Sequence, residues 1–277
     1  MSSWHDVEVA HAEARIYFEE ASRIEEAKGA LRSALEVLAA ADDAFSAPEV
    51  FHEEIADEDW RYSYRRHFKT MRIGERLIVR PEWEEKPSDG VVLTLDPGLS
   101  FGTGGHETTR ACLEYIDALA SEKRSMLDMG CGSGILSIAA SLLGCKDVAG
   151  FDVDADAVAS SRENAAKNDA EVRYFVHALG GAKTDENGDA VPSGDRRNSG
   201  TGKIEPADIV AANILGPLLI RYADEIAPYA KEYLIISGIL NELYEQVKEE
   251  FVTRGFTEAG RKTLGEWSTG LLKRKTP

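Results

Sequence analysis

Residues 126–134, Met-Leu-Asp-Met-Gly-Cys-Gly-Ser-Gly, constrain this chain more than any other stretch. An apolar strand ends here, the backbone turns on three glycines, and an apolar helix follows from Ile135 to Leu143. Glycines at such a turn let the backbone approach a ligand closely, and the helix start offers unpaired N–H groups. A dinucleotide loop reads G-x-G-x-x-G. Here Gly130, Gly132 and Gly134 read G-x-G-x-G, and Ile135 stands where that loop places its third glycine. Asp128 closes the first strand. Asp152, 22 residues after Gly130, closes a second apolar run, Val148 to Phe151. An acid at that distance suits a ribose diol. The pattern looks like a site for S-adenosylmethionine (SAM), and the same spacing disfavours an NAD-dependent oxidoreductase.

Around this turn the chain alternates strands and helices. Helices are expected at Glu107–Ala120, Ala155–Lys167 and Asn241–Phe251, and strands at Val172–Val176, Ile209–Ala212 and Tyr233–Ser237. Phe256–Leu264 and Ser268–Arg274 read as a closing hairpin. Repeated βα units imply an α/β fold, a parallel sheet with helices on both faces, here ending in an antiparallel pair. Upstream the rhythm differs. Arg15–Phe18 and Val50–Ile55 read as strands flanking a helix, Glu25–Ala40, whose Ala30, Leu31, Ala34, Leu35 and Leu38 form one stripe. This makes residues 1–55 a small α+β domain and 56–88 a linker, with a short helix at Trp60–Phe68 and a strand at Leu77–Val79. Residues 89–277 form the main domain. Within it, 180–206 is polar, rich in Gly, Ser and Asp, and is expected to be a disordered insertion that leaves the crossover helix short or absent.

Charge narrows the partners. The formal net charge of −17 argues against binding nucleic acid through phosphate contacts. Residues 1–60 carry 16 acids against four Lys or Arg, whereas 61–80 carry seven Lys or Arg against Glu75. An acidic block of this kind reads either as a solvated face or as one that steers a basic partner. Cys112, Cys131 and Cys145 form no C-x-x-C pair, which suggests a reduced, cytoplasmic setting. No apolar run is long enough to span a membrane, the start lacks a signal-peptide pattern, and no metal-ligand cluster is visible.

Two further motifs flank the glycine turn. Leu95-Asp-Pro-Gly-Leu-Ser-Phe-Gly-Thr-Gly-Gly-His-Glu-Thr-Thr109 leads into a helix, with Thr108 or Thr109 as its capping hydroxyl or as a ligand contact. Ala212-Asn-Ile-Leu-Gly-Pro217 closes the fourth strand, where open α/β sheets bind ligands. The Asn213 side-chain oxygen and a backbone carbonyl near Ile214 can accept hydrogen bonds from a nucleophilic nitrogen.

These three motifs, in this order, resemble the PrmA family, the bacterial methyltransferases that modify large-subunit ribosomal protein eleven. Asp59-Trp60, Met71-Arg-Ile-Gly-Glu-Arg-Leu77, Pro81-Glu-Trp83 and Ser237-Gly-Ile-Leu240 extend the likeness from about Asp57 to Arg274. The resemblance implies a class I SAM-dependent methyltransferase: a Rossmann-like, mostly parallel seven-stranded sheet behind a small N-terminal α+β domain. It implies methyl transfer to lysine and N-terminal amines of a basic ribosomal protein, with no direct nucleic-acid or membrane partner. Thr109, Thr108, Asp128, Gly130, Gly132, Asp152 and Asn213 become the expected cofactor contacts, and Asn213, Ile214 and His106 the expected catalytic group. Phe101 and Trp267 are expected near the methylated nitrogen through cation–π contact. Three departures stand out. The family's usual Thr-His-Pro is Gly105-His-Glu107 here, 180–206 reads as an insertion, and the region before Trp60 is shorter than the family's substrate-recognition domain. They leave open a related N-methyltransferase acting on another protein or a small amine, and the sequence leaves the oligomeric state open.

Overall fold

The structure is a computed structural model that describes residues 24–41, 69–95, 106–121, 124–180 and 204–276. The chain divides into two compact units, Met1–Arg61 and Tyr62–Pro277. In the first, helix α1 spans Ile24–Ala41, as its apolar periodicity predicts. The strands and short helix expected at 15–18, 50–55 and 60–68 lie outside the described residues, as do the Asp96–Gly105 loop with Phe101 and residues 181–203.

The second unit opens with a small sheet. β1 (Met71–Ile73) pairs antiparallel with β2 (Leu77–Pro81), which runs parallel to β3 (Val91–Leu95). This corrects the linker expected over 56–88. Ile73, Leu77, Val79, Leu93 and Leu95 are buried in the same core cluster as Leu113, Ile116 and Met126, so from β1 onward the segment belongs to the main domain. The anchor is polar. Asp117 of helix α2 (Glu107–Leu119) accepts from Glu75 N at 2.7 Å and also binds the Arg76 backbone and guanidinium. Gly74, at φ +65°, leaves no room for a side chain beside that carboxylate. Arg72 pairs with Asp89. Two of the basic residues concentrated at 61–80 are thus matched by acids of their own domain.

The main sheet has seven strands: β4 (Ser125–Met129), β5 (Asp147–Asp152), β6 (Arg173–Val176), β7 (Ala207–Asn213), β8 (Ala230–Leu240), β9 (Phe256–Leu264) and β10 (Trp267–Arg274). Their order is β6-β5-β4-β7-β8-β10-β9. β4 through β8 pair in parallel; β10 alone runs against them, inserted between β8 and β9. Side chains alternate between two cores. Met126, Ile209, Ala211 and Ile235 join one, whereas Leu127, Met129, Val210, Ala212 and Ile236 join the other. Helices α2, α3 (Ile135–Leu142) and α4 (Ala155–Lys167) cover the first face. The second is covered by α5 (Gly216–Arg221), α6 (Ala223–Ile226) and α7 (Tyr244–Val252). Strands buried on both faces read as continuous apolar runs, which is why β7 and β8 could be found in the sequence. The short helices α5 and α6 carry too few turns to register a period, and they have no counterpart in the sequence reading.

Candidate functional site

From β4 the chain builds outward through β5 and β6, then crosses back to place β7 on the other flank of β4. Such a reversal opens a crevice at the carboxyl ends of the strands. Register shows what lines it. Phe151, Met129 and Ala212 are partners across β5, β4 and β7. The next residue of each strand is Asp152, Gly130 and Asn213, and these three form one row along the carboxyl edge. Ser237, paired with Asn213, continues it onto β8.

The glycine turn folds as its spacing demands. Gly130, Gly132 and Gly134 all have positive φ, at 71°, 53° and 80°. A Cβ on Gly130 would come within 2.6 Å of Ile214 Cγ2, and one on Gly134 within 2.5 Å of the Tyr174 hydroxyl. Side chains at Gly130 and Gly134 would collide with neighbours in the fold, so the turn keeps a bare backbone at both positions. Asp152 faces it: Oδ2 accepts from Gly132 N at 2.9 Å, and Oδ1 accepts from Asp154 N at 3.0 Å. Each carboxylate oxygen keeps a second lone pair, the donor-accepting chemistry a ribose diol needs. Helix α4 clamps the turn from beside it. Ser161 Oγ donates to Gly132 O at 2.7 Å, and Asn164 Nδ2 donates to Ser133 O at 2.9 Å. Neither residue figures among the expected site residues, although two polar side chains three apart on an alanine-rich helix are a readable signal. Cys131 is packed beneath the turn, and burial raises its thiol pKa far above the ordinary range. This suits a packing residue rather than a nucleophile.

Asp128 lies deeper than an outward-facing ligand contact. It is 1% exposed, and its Oδ2 accepts from Ser137 N at 3.1 Å in the first turn of α3. Gly134 caps that helix without a side chain, so the strand's own carboxylate supplies the cap. Its Oδ1 is buried without a partner, and burial raises the Asp128 pKa to about 7. The sign is definite. The folded protein holds this proton up to about pH 7, while the unfolded chain releases it near pH 4. Stability from this group therefore falls as pH rises between those values. Asp128→Asn should flatten that slope in thermal melts, gaining on the order of 3 kcal/mol on the wild type between pH 5 and pH 8. Parallel melting curves for the two proteins would exclude a raised Asp128 pKa.

The other expected residues are distributed around the row. Thr108 and Thr109 are buried in the first turn of α2, but neither caps it. His106 does: its Nδ1 accepts from Thr108 N at 3.3 Å and lies 2.8 Å from Thr108 Oγ1. Its ring meets Trp267 edge-on at 5.3 Å. His106 is thus the N-cap of α2, with Trp267 against its ring. A buried hydroxyl pair, Ser237 and Thr269 at 2.6 Å, reaches from β8 to β10, and Ser237 Oγ donates to Thr108 O at 3.4 Å. The register slips between Ser268 and Gly270, and this bulge coincides with burial of all three residues from 268 to 270. Beyond Asn213, the Ile214 carbonyl lies against Gly238, whose φ of +77° leaves no space for a Cβ. The expected carbonyl acceptor of Ile214 thus faces Gly238, and the half-buried Asn213 lies in the row.

The sheet order and the glycine cradle facing an acid define a class I SAM-dependent methyltransferase. More narrowly, residues 3–275 match the family of ribosomal protein L11 methyltransferases (PrmA), and the chain belongs to that family. It is 38% identical over 227 residues to the ribosomal protein L11 methyltransferase of Caldanaerobacter subterraneus subsp. tengcongensis, an overlap of 80% of this chain and 67% of that protein. With the Geobacter metallireducens protein of the same name the identity is 37% over 265 residues, 94% of this chain and 81% of the relative. The match to the Pseudomonas paraeruginosa protein, 41% identical, covers 74% of this chain and 64% of the relative. The chain thus spans about two thirds of the length of several relatives. Among solved structures, a ribosomal protein L11 methylase from Lactobacillus delbrueckii subsp. bulgaricus superposes with a TM-score of 0.62 at 26% identity, covering 76% of this chain and all of that one.

Among the described residues no group of His, Cys, Asp and Glu is placed to hold a metal, and no helix is long and apolar enough to cross a membrane.

Proposed function

We propose that this chain transfers methyl groups from SAM to lysine side chains and the N-terminal amine of ribosomal protein L11. The observation that carries the reading is the row Asp152–Gly130–Asn213, which sets a diol acceptor, a glycine cradle and an amide side by side at the strand reversal. Bound SAM supplies an electrophilic methyl group on its sulfonium. Asp152 holds the ribose diol, Gly130 and Gly132 admit the cofactor close to the backbone, and Thr108 and Thr109 close the cradle from α2. Asp128 acts from below, pinning the start of α3 so that the turn keeps its shape. His106 sets the α2 end of the pocket as a positioning residue.

The amine must be neutral to attack, and lysine is ordinarily protonated up to about pH 10.4. A half-buried site disfavours the charged form. Asn213 Oδ1 accepts an amine hydrogen and aims the nitrogen lone pair along the transfer line, while Ile214 walls the site above Gly130. Holding the two reactants in line is the main contribution that such a site can make. The chain acts in the cytoplasm on this reading, on a basic acceptor suited to its acidic surface.

Incubating the protein with labelled SAM and purified ribosomal protein L11, followed by mass spectrometry, should show methyl additions on L11 lysines or its N-terminus. If SAM binds and L11 stays unmodified while a different protein in a cell extract takes the label, the acceptor assignment is wrong and a related N-methyltransferase is the better reading.

A further inference from the structure

Large apolar side chains exposed on the described residues are few, and their placement is uneven. They are Leu31, Val153, Leu215, Leu218 and Leu240. Four of the five follow strands at the carboxyl edge that holds the site: Val153 follows Asp152, Leu215 and Leu218 come after Asn213, and Leu240 ends β8. Leu215 is the most exposed, at 63%, and it occupies the N-cap of α5 with no side-chain hydrogen bond. Ser, Thr, Asp or Asn is favoured at such a position and leucine is strongly disfavoured. A local rule broken without a folding gain marks a residue kept for contact.

The turn that carries Leu215 and the strand end that carries Leu240 meet in the fold. Gly216 packs on Leu243, where a Cβ would come within 2.7 Å of Leu243 Cδ2, and Gly238 packs on Ile214. The 214–216 turn therefore rests on the end of β8, whose last residue, Leu240, is 40% exposed. Leu240 pairs across the sheet with Trp267, and Trp267 meets the ring of His106. Leu215, Leu240 and Trp267 thus make an apolar collar at the carboxyl edge beyond Asn213. Glu107, Glu242 and Glu266, all exposed, flank it.

We propose that this collar docks the protein acceptor, taking an apolar segment whose neighbouring residues are basic. The inference rests on the methyl-transfer reading above. An amine reaching Asn213 brings its flanking residues over Leu215 and Leu240, where apolar contact adds affinity for a protein and none for the cofactor. The acidic rim is complementary to a lysine-bearing segment and raises its encounter rate.

The test compares the wild type with a Leu215→Ser/Leu240→Ser pair and a Glu242→Lys/Glu266→Lys pair, with purified ribosomal protein L11 as acceptor. The leucine pair should raise the KM for L11 about tenfold, with kcat within about twofold and calorimetric SAM affinity unchanged. The charge pair should raise KM at low ionic strength and lose that effect at high salt. A KM insensitive to either pair overturns the proposal, as does a rise matched by an equal loss of SAM affinity. A wild-type chain that leaves L11 unmethylated overturns the methyl-transfer reading and the collar with it, whereas an active wild type with indifferent variants overturns the collar alone.

Discussion

Asp152→Ala should weaken SAM binding about 100-fold, roughly 3 kcal/mol, the scale expected when hydrogen bonds to a charged acceptor are lost. Two effects combine. The ribose diol loses the carboxylate that accepts its hydrogens, and Gly132 N loses the Oδ2 that holds the glycine turn toward β5. Asp152→Asn separates them. An amide keeps one acceptor oxygen, so its affinity should lie between those of the wild type and the alanine variant. Calorimetric titration of each protein with SAM gives the answer directly. An Asp152→Ala protein that bound SAM as tightly as the wild type would remove the ribose role and leave Asp152 as a turn-holding residue.

Asn213→Ala should reduce kcat by about 10²–10³, the usual loss when one preorganised polar group is removed from a reacting centre. SAM affinity should stay within several-fold of normal, because the turn and Asp152 are untouched. The geometry explains why one amide carries so much. Asn213 is one step beyond the residue paired with Met129, so it stands beside Gly130, the glycine that would admit the cofactor to the backbone. The Ile214 carbonyl is turned to Gly238. Single-turnover methylation with saturating SAM isolates the chemical step. Full turnover by Asn213→Ala would mean that the amine is oriented by some other group.

Much of this site could be read along the chain because its parts are local. The Gly130–Gly134 turn, Asp152 at the end of its apolar run, and Asn213 at the end of another are each fixed by a strand and the few residues after it. Sequence also gave the correct bounds for α4 and β9. It underestimated β8, expected at Tyr233–Ser237 and observed over Ala230–Leu240, because its ends are partly exposed and break the apolar run. The linker misread at 56–88 has a similar origin. Short strands such as Met71–Ile73 carry too little pattern to show that they will be buried. Thr108 and Thr109 looked like helix caps on propensity alone, but His106, two residues before Thr108, caps the helix by accepting from Thr108 N.

What the sequence by itself determined is the kind of ligand. Three glycines at that spacing, with an acid 22 residues beyond the first, require a turn that admits SAM. What only the tertiary structure decided is the company those residues keep. Strand order put Asn213 beside Gly130 across 83 residues, and packing turned Ser161 and Asn164 toward the turn from a neighbouring helix. It also set Leu240 across from Trp267, whose ring meets His106. The reason is physical: a turn's conformation follows from its own backbone, whereas a row of side chains across parallel strands exists only once the register between those strands is set.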